Sequence, residues 1–251
     1  MRYNIKYIYI YIYIYIYIMS YILERTLLTT AGNNIYIRSN NILAKKHFDE
    51  PENYADFIIN QINNDKIYLN YLKGNNLTIL DIGGNIGLFS LHCVDCAKKI
   101  YSFEPTPKHF ELLKEFTKDF NVIIPVNIAI SDCDADIPFY LSDSNTTMNS
   151  IINRYGSEIT VKSKSIYSFL KENNIEKVDF VKCDIEGSEM IALKEECVKP
   201  LFHIVDKWFI EIHSTQNTST QENREIIKKN FENVGYMCET IGHDSLYVFK
   251  L

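Results

Sequence analysis

Leu77-Thr78-Ile79-Leu80-Asp81-Ile82-Gly83-Gly84-Asn85-Ile86-Gly87 is the stretch that decides the fold. An apolar run ends at Ile82, a glycine pair breaks it, and an apolar helix is expected from residue 86 to about 97. Strand, tight turn and helix in that order open an α/β unit. The glycines tolerate positive φ and let backbone approach a ligand. Gly87, inside the helix start, lets the helix pack closely on the strand.

The same rhythm repeats downstream. Residues 100–103 read as a second strand, 108–120 as a helix with Phe110, Leu113 and Phe116 on one stripe, and 122–130 as a third strand. Residues 137–166 read as irregular to extended, around a polar loop at 142–150. A helix at 166–172, a strand at 178–183, a helix at 186–196, a strand at 208–212 and a helix at 222–233 follow. Strands at 236–241 and 246–249 close the chain about Gly242. Alternating strands and helices predict a mostly parallel sheet, covered on both faces and built with right-handed crossovers.

Upstream, asparagine pairs flank Ile35-Tyr36-Ile37-Arg38 and predict a hairpin. Tyr54, Phe57, Ile58 and Ile62 predict a helix over 52–72, which Gly74 ends. Residues 7–18 are Tyr-Ile repeats. As a membrane helix that run is short and half tyrosine, and as a signal peptide it lacks a small-residue cleavage site. A TATATA tract translates to the same repeat, and Met19 offers an alternative start. The expected organisation is a low-complexity segment at 1–18, disordered or not native, an extension of hairpin and helix at 19–76, and a catalytic domain at 77–251.

With 251 residues, 46% of them hydrophobic, the chain can bury a full core, which excludes wholesale disorder. A net charge of −6 argues against binding nucleic acid through its phosphates. Six cysteines are too few for a disulfide scaffold, so a reducing, cytoplasmic setting is expected. Lysine outnumbers arginine 21 to 5 and Asn and Ile are abundant, as an AT-rich coding sequence would give. Surface Lys and Asn therefore carry little functional information.

In sheets of this kind ligands bind beyond the carboxyl ends of the strands, where strand order reverses. The first strand end offers Asp81, Gly83, Gly84, Asn85 and Gly87. Their spacing is not the Gly-x-Gly-x-x-Gly of dinucleotide sites. A carboxylate at Asp81 would repel a pyrophosphate but suits an ammonium. S-Adenosylmethionine carries an ammonium and a sulfonium and no phosphate, and it is the expected cofactor. Glu104 ends the second strand, 23 residues after Asp81, where an acid accepts hydrogen bonds from ribose hydroxyls. Asn127, Ile128 and Ala129 end the third and are the expected adenine wall.

Asp184 ends the fourth strand and is expected over the reactive methyl group. Its ordinary alternative is an N-cap, and Glu186 and Glu189 fit a first helical turn, where acids favour the dipole. Lys182 is a candidate buried partner for these acids. Glu211 and His213 alternate onto one face at the fifth strand end. Beside Asp184 they are candidates for acid–base work or metal ligation. Cys93 and Cys96 fall mid-helix with no second pair, so packing is expected of them rather than redox or zinc chemistry.

Together these motifs resemble the FkbM family of S-adenosylmethionine-dependent methyltransferases. The resemblance rests on Asp81 to Gly87 and on Phe103-Glu104-Pro105-Thr106-Pro107 followed by Phe110-Glu111-Leu112-Leu113. It rests further on Val126-Asn127-Ile128-Ala129, on Lys182-Cys183-Asp184-Ile185-Glu186-Gly187-Ser188-Glu189, and on Glu211-Ile212-His213. It spans residues 77–249, and its one departure is Gly84, where the family often has alanine. It implies a Rossmann-like class I methyltransferase of the α/β class. The sheet would have seven mostly parallel strands with the last antiparallel, and helices on both faces. It also implies O-methylation of a sugar, glycan or other small-molecule hydroxyl.

The expected base is His213 first and Asp184 second, with Glu211 beside them. Asp184, Glu186, Glu211 and His213 have the donor types for Mg²⁺ or Mn²⁺, but no metal site is predicted. The expected partner is a small-molecule or glycan acceptor, with neither nucleic acid nor membrane, and no oligomeric state is assigned. Two alternatives stand beside this reading: a non-catalytic binding module on the same fold, and an NAD-dependent oxidoreductase. The loop at 142–154 and the segment before Leu77 are expected to shape the acceptor pocket.

Overall fold

The structure, a computed structural model, describes residues 23–28, 34–39, 59, 68, 70–142, 149–153 and 156–251. The Tyr-Ile repeat and nearly all of the helix expected over 52–72 lie outside the described residues. Among the described residues no helix is long and apolar enough to cross a membrane. The expected hairpin is present: β1 (Leu23–Leu28) pairs antiparallel with β2 (Asn34–Ser39), from Leu28 opposite Asn34 to Leu23 opposite Ser39.

The chain then runs through β3 (Leu77–Ile82), α1 (Leu88–His92), β4 (Ala97–Phe103), α2 (Pro107–Thr117) and β5 (Ile123–Val126). After β6 (Ala129–Ile130), β7 (Ala135–Leu141) and β8 (Ser157–Lys164) come α3 (Ile166–Glu172) and β9 (Phe180–Cys183). Next are α4 (Glu189–Ala192), α5 (Glu195–Val198), β10 (Lys207–Glu211), α6 (Thr220–Val234), β11 (Met237–Ile241) and β12 (Ser245–Phe249). Seven strands form the main sheet in the order β11-β12-β10-β9-β3-β4-β5. β10, β9, β3, β4 and β5 run parallel, and β12 is antiparallel to both its neighbours.

Both faces of this sheet are covered, so its central strands are apolar at consecutive positions rather than at alternate ones. Ile79, Ile100, Phe180 and Phe209 pack on one face with Tyr68, Phe89 and Leu91. Leu80, Phe103, Val181, Trp208 and Ile210 pack on the other with Phe169, Ile227 and Phe231. The chain moves outward in one direction through β3, β4 and β5, then crosses to β9 and β10 on the opposite side of β3. The strand order reverses at the β3–β9 junction, and the candidate site lies at its carboxyl end.

Four elements differ from expectation, each for a local reason. The first helix ends at His92, capped by Cys93, and the chain re-enters the sheet at Ala97. Cys93 and Cys96 therefore sit in a buried turn rather than mid-helix, with Cys96 Sγ donating to Cys93 O at 3.2 Å. The third strand splits at Asn127, whose side chain donates to Glu104 O at 2.7 Å and Pro105 O at 3.2 Å. Pro125 lies on the edge strand, where a missing N–H is tolerated.

The stretch read as irregular to extended belongs to a second sheet, β6-β8-β7, around Ala129, Phe139 and Val161. Finally, the helix expected over 186–196 is two short ones. Glu186 and Gly187 are left-handed at φ 54° and 93°, which delays its start, and Lys194 is extended at ψ 155°, which interrupts it.

Candidate active site

Register places Asp81 between Ser102 of β4 and Lys182 of β9. Its Oδ2 accepts from Ser90 Oγ at 2.6 Å and Ser102 Oγ at 2.9 Å. Its Oδ1 lies 3.8 Å from Lys182 Nζ and has no hydrogen-bond partner among the described residues. Asp81 is wholly buried, so it lies beneath the glycine loop and not on its surface.

The loop itself uses its own donors. Gly83 and Gly84 N–H both donate to Phe103 O, at 3.1 and 2.8 Å. Asn85 N–H donates to Glu104 Oε2 at 3.0 Å, and Gly87 N–H to Gly84 O at 2.8 Å. A pyrophosphate needs free N–H groups at a helix start. Four of the loop's N–H groups are occupied, one of them by a carboxylate, and the helix that follows has five residues. The NAD alternative loses its physical basis at this point.

Gly83 is left-handed at φ 80°, and a Cβ on it would come within 1.8 Å of Asp184 O. No other residue fits between the ends of β3 and β9. Lys182 reinforces the junction: its Nζ donates to Gly83 O at 2.8 Å and pairs with Asp184 at 3.1 Å. Burial would lower the pKa of this ammonium, but Asp184 and Asp81 outweigh it and hold Lys182 well above the ordinary lysine value.

Glu104 is bonded at both oxygens, to Asn85 N–H and, at 2.7 Å, to Thr106 N–H. Burial pushes its pKa up to about 7 against the opposing pull of those donors. Each oxygen keeps a further lone pair for a ligand hydroxyl. Of the expected adenine wall, Asn127 is exposed and tied to the Glu104 backbone. Ile128 packs into the main core and Ala129 into the second sheet.

Asp184, Glu211 and His213 do meet. His213 Nε2 lies 3.8 Å from Asp184 Oδ1, 3.7 Å from Glu186 Oε2 and 3.8 Å from Glu211 Oε1. His213 Nδ1 lies 3.2 Å from Glu189 Oε1, on a wholly buried side chain. Burial would lower the His213 pKa, but Glu189, Asp184 and Glu186 raise it to about 11. An imidazolium cannot accept a proton, so the geometry favours Glu211 over His213 as the base.

Burial would also raise Asp184, yet Lys182 and His213 hold it below the usual carboxylate value. Glu211 is raised to about 7, first by Asp184 and then by burial. Burial lifts Glu186 to about 8. At 39% side-chain exposure, Glu211 is the most open of the four carboxylates around His213.

Several supporting residues escaped sequence reasoning. Ser90 and Ser102 had a signal, as lone hydroxyls in the apolar runs Leu88-Phe89-Ser90-Leu91 and Tyr101-Ser102-Phe103. Asn223 and Asn153 had none. Asn223, on α6, donates to His213 O at 2.7 Å. Asn153 Nδ2 and Ser150 Oγ donate to Glu186 O at 3.1 and 2.7 Å. Asn149 donates to Thr106 Oγ1 at 3.3 Å. The described part of the 142–154 loop thus touches both the Glu104 and the Glu186 segments.

A glycine loop after the first strand, a reversal of strand order beside it and an antiparallel final strand define the class I methyltransferase architecture. The methyltransferase FkbM domain model matches residues 81–238, and the chain belongs to that family. It is 30% identical over 115 residues to the hexuronic acid methyltransferase AglP of Haloferax volcanii, covering 45% of this chain and 47% of that protein. The match therefore spans about half the relative's length. Among solved structures it is similar to FkbM methyltransferase from Methylobacillus flagellatus, with a TM-score of 0.48 and 15% identity over 72% of this chain and 45% of that one. Methanococcus jannaschii fibrillarin gives 0.47 and 14%, over 91% and 97%.

Proposed function

We propose that the protein is an S-adenosylmethionine-dependent O-methyltransferase acting on a hydroxyl of a sugar or glycan. The observation that carries this reading is the junction of two unlike half-sites at Gly83 and Asp184. On one side stands a loop whose Gly83, Gly84, Asn85 and Gly87 N–H groups are already used, on the other a cluster of carboxylates around His213. The first half fits a phosphate-free adenosine. Gly83 and Gly84 leave room for its approach, and Glu104 has acceptor capacity for the ribose hydroxyls. Bound there, S-adenosylmethionine supplies a methyl group already activated by its sulfonium.

The residues of the chain then supply alignment and proton transfer. Fixing two reactants in line can contribute about 7–11 kcal/mol in favourable cases. Asp184, ionised and anchored by Lys182, sets a negative charge at the boundary of the two half-sites. Glu211 takes the acceptor's hydroxyl proton as the new O–C bond forms. It borders a cavity of about 220 Å³ with His213, Glu186 and Asn153. His213 keeps the cluster's charge balanced rather than acting as the base.

A relative named for methylating hexuronic acid favours a sugar acceptor. Incubation with methyl-labelled S-adenosylmethionine and a panel of hexoses, hexuronic acids and glycans tests the proposal. Label in a sugar hydroxyl is expected. No binding of the cofactor at millimolar concentration would overturn it.

A further inference from the structure

Three carboxylate oxygens, from Asp184, Glu186 and Glu211, converge on His213 Nε2 at 3.7–3.8 Å. The opposite ring nitrogen faces Glu189 Oε1, which also accepts Ile185 N–H at 2.8 Å. A buried carboxylate on one imidazole nitrogen fixes the tautomer and turns the other outward, the arrangement by which proteins orient metal-bound histidines. Asp184, Glu186 and His213 each offer one ligand atom, all within 4.8 Å of one another.

The backbone that carries them is held from outside the cluster. Asn223 fixes His213 O, and Ser150 and Asn153 fix Glu186 O. A second observation points to a ligand. Asn153 is 8% exposed and lines the same cavity, and its Oδ1 has no hydrogen-bond partner among the described residues. A buried acceptor left unsatisfied beside the cluster points to a bound water or ion.

We propose that Asp184, Glu186 and His213 form a divalent-cation site of the Mn²⁺ type, in which the cation replaces the proton on His213 Nε2 and releases it to solvent, with Glu189 as the positioning residue for the imidazole. Two hard oxygen donors with one imidazole and no thiolate suit Mn²⁺ better than a soft metal. The cation's open positions face the cavity and would take vicinal oxygens, from a diol or a hydroxy acid. That last step rests on the proposed sugar acceptor. The cation site itself does not depend on it.

Mn²⁺ titration of the full chain, followed by electron paramagnetic resonance, tests the site. A bound ion with one directly coordinated nitrogen in the electron spin echo modulation is expected. His213→Ala should abolish the nitrogen signal. Glu189→Gln should weaken affinity about 10–100-fold while keeping the nitrogen, with circular dichroism confirming that both variants fold. No Mn²⁺ bound at millimolar concentration, or a bound ion without nitrogen modulation, overturns the site, and the wild-type measurement alone is sufficient for that. S-Adenosylmethionine binding in the same samples separates the two proposals. Cofactor without Mn²⁺ sinks only the cation site, and Mn²⁺ without cofactor sinks only the methyltransferase activity.

Discussion

The two halves of the site are built on opposite principles. Around Gly83 and Gly84 the backbone N–H groups of Gly83, Gly84, Asn85 and Gly87 have partners inside the protein, shape comes from missing side chains, and orphaned oxygens remain on Asp81 and Asn85. Around His213 the carboxylates outnumber the cations, and orphaned atoms remain on Glu189 and Asn153. The first half is held by backbone hydrogen bonds from the loop after β3 to β4. The second is charge held in place by neighbours such as Asn223 and waits for something to complete it. A site that accepts many partners on one fold would be arranged this way, with a fixed donor half and an acceptor half defined by its unmet charge.

Gly83→Ala should break both halves at once, because its Cβ would meet the Asp184 carbonyl at 1.8 Å while φ stays at 80°. Left-handed strain and overpacking together predict a loss of at least about 2 kcal/mol in stability. Denaturant unfolding reads that loss, and calorimetry should find cofactor binding abolished. A variant that binds normally would mean the two strand ends are not in contact.

Glu211→Gln touches the acceptor half alone. Removing a general base lowers turnover by about 10²- to 10⁴-fold. Cofactor affinity should stay within a factor of two or so, since Glu211 lies on the cavity side and Glu104 on the loop side. Stopped-assay kinetics and calorimetry on one preparation would check the split. Equal losses in both would erase the division between the halves.

The sequence exposed the first half more fully than the second, for a physical reason. Asp81 to Gly87 is contiguous, and backbone geometry dictates its residue types, so glycine is visible at the positions that need it. The strand–helix rhythm predicted the mostly parallel sheet, and the family resemblance implied its antiparallel final strand. The cluster around His213 is assembled from β9, β10, the loop before α4 and, through Asn223, α6. Its protonation states follow from distances that no spacing encodes, which is why His213 read as a base. Residues 137–166 read as irregular to extended, and their pairing into the β6-β8-β7 sheet was not legible because it is long-range.

Glu104 offers a pH test of the loop half. Its pKa in the fold is near 7 against a usual 4.5, so the protonated form favours folding. That contribution is complete below pH 4.5 and is lost as pH rises through about 7. Ribose hydroxyls donate to the ionised form, so cofactor affinity should move the other way and strengthen as pH rises through about 7. Glu104→Gln should weaken binding about tenfold, as expected for a lost charge-assisted hydrogen bond. It should also flatten the dependence between pH 6 and 8. A slope that survives in the variant would place the titrating group elsewhere.

Gly84→Ala should have the smallest effect, although its glycine stands beside the most sensitive one. A Cβ there would lie 2.2 Å from Ser102 Oγ, a side-chain atom that can rotate away. Rotation breaks the 2.9 Å bond from Ser102 to Asp81 but leaves Asp81 its bond from Ser90. A single side-chain hydrogen bond contributes about 0.5–1.5 kcal/mol, and that is the loss expected in chemical denaturation. In the Ser102→Ala background the bond is already gone, so adding Gly84→Ala should cost almost nothing. An unchanged cost in the double variant would mean the added methyl strains the backbone itself, and the two glycines would no longer differ in kind.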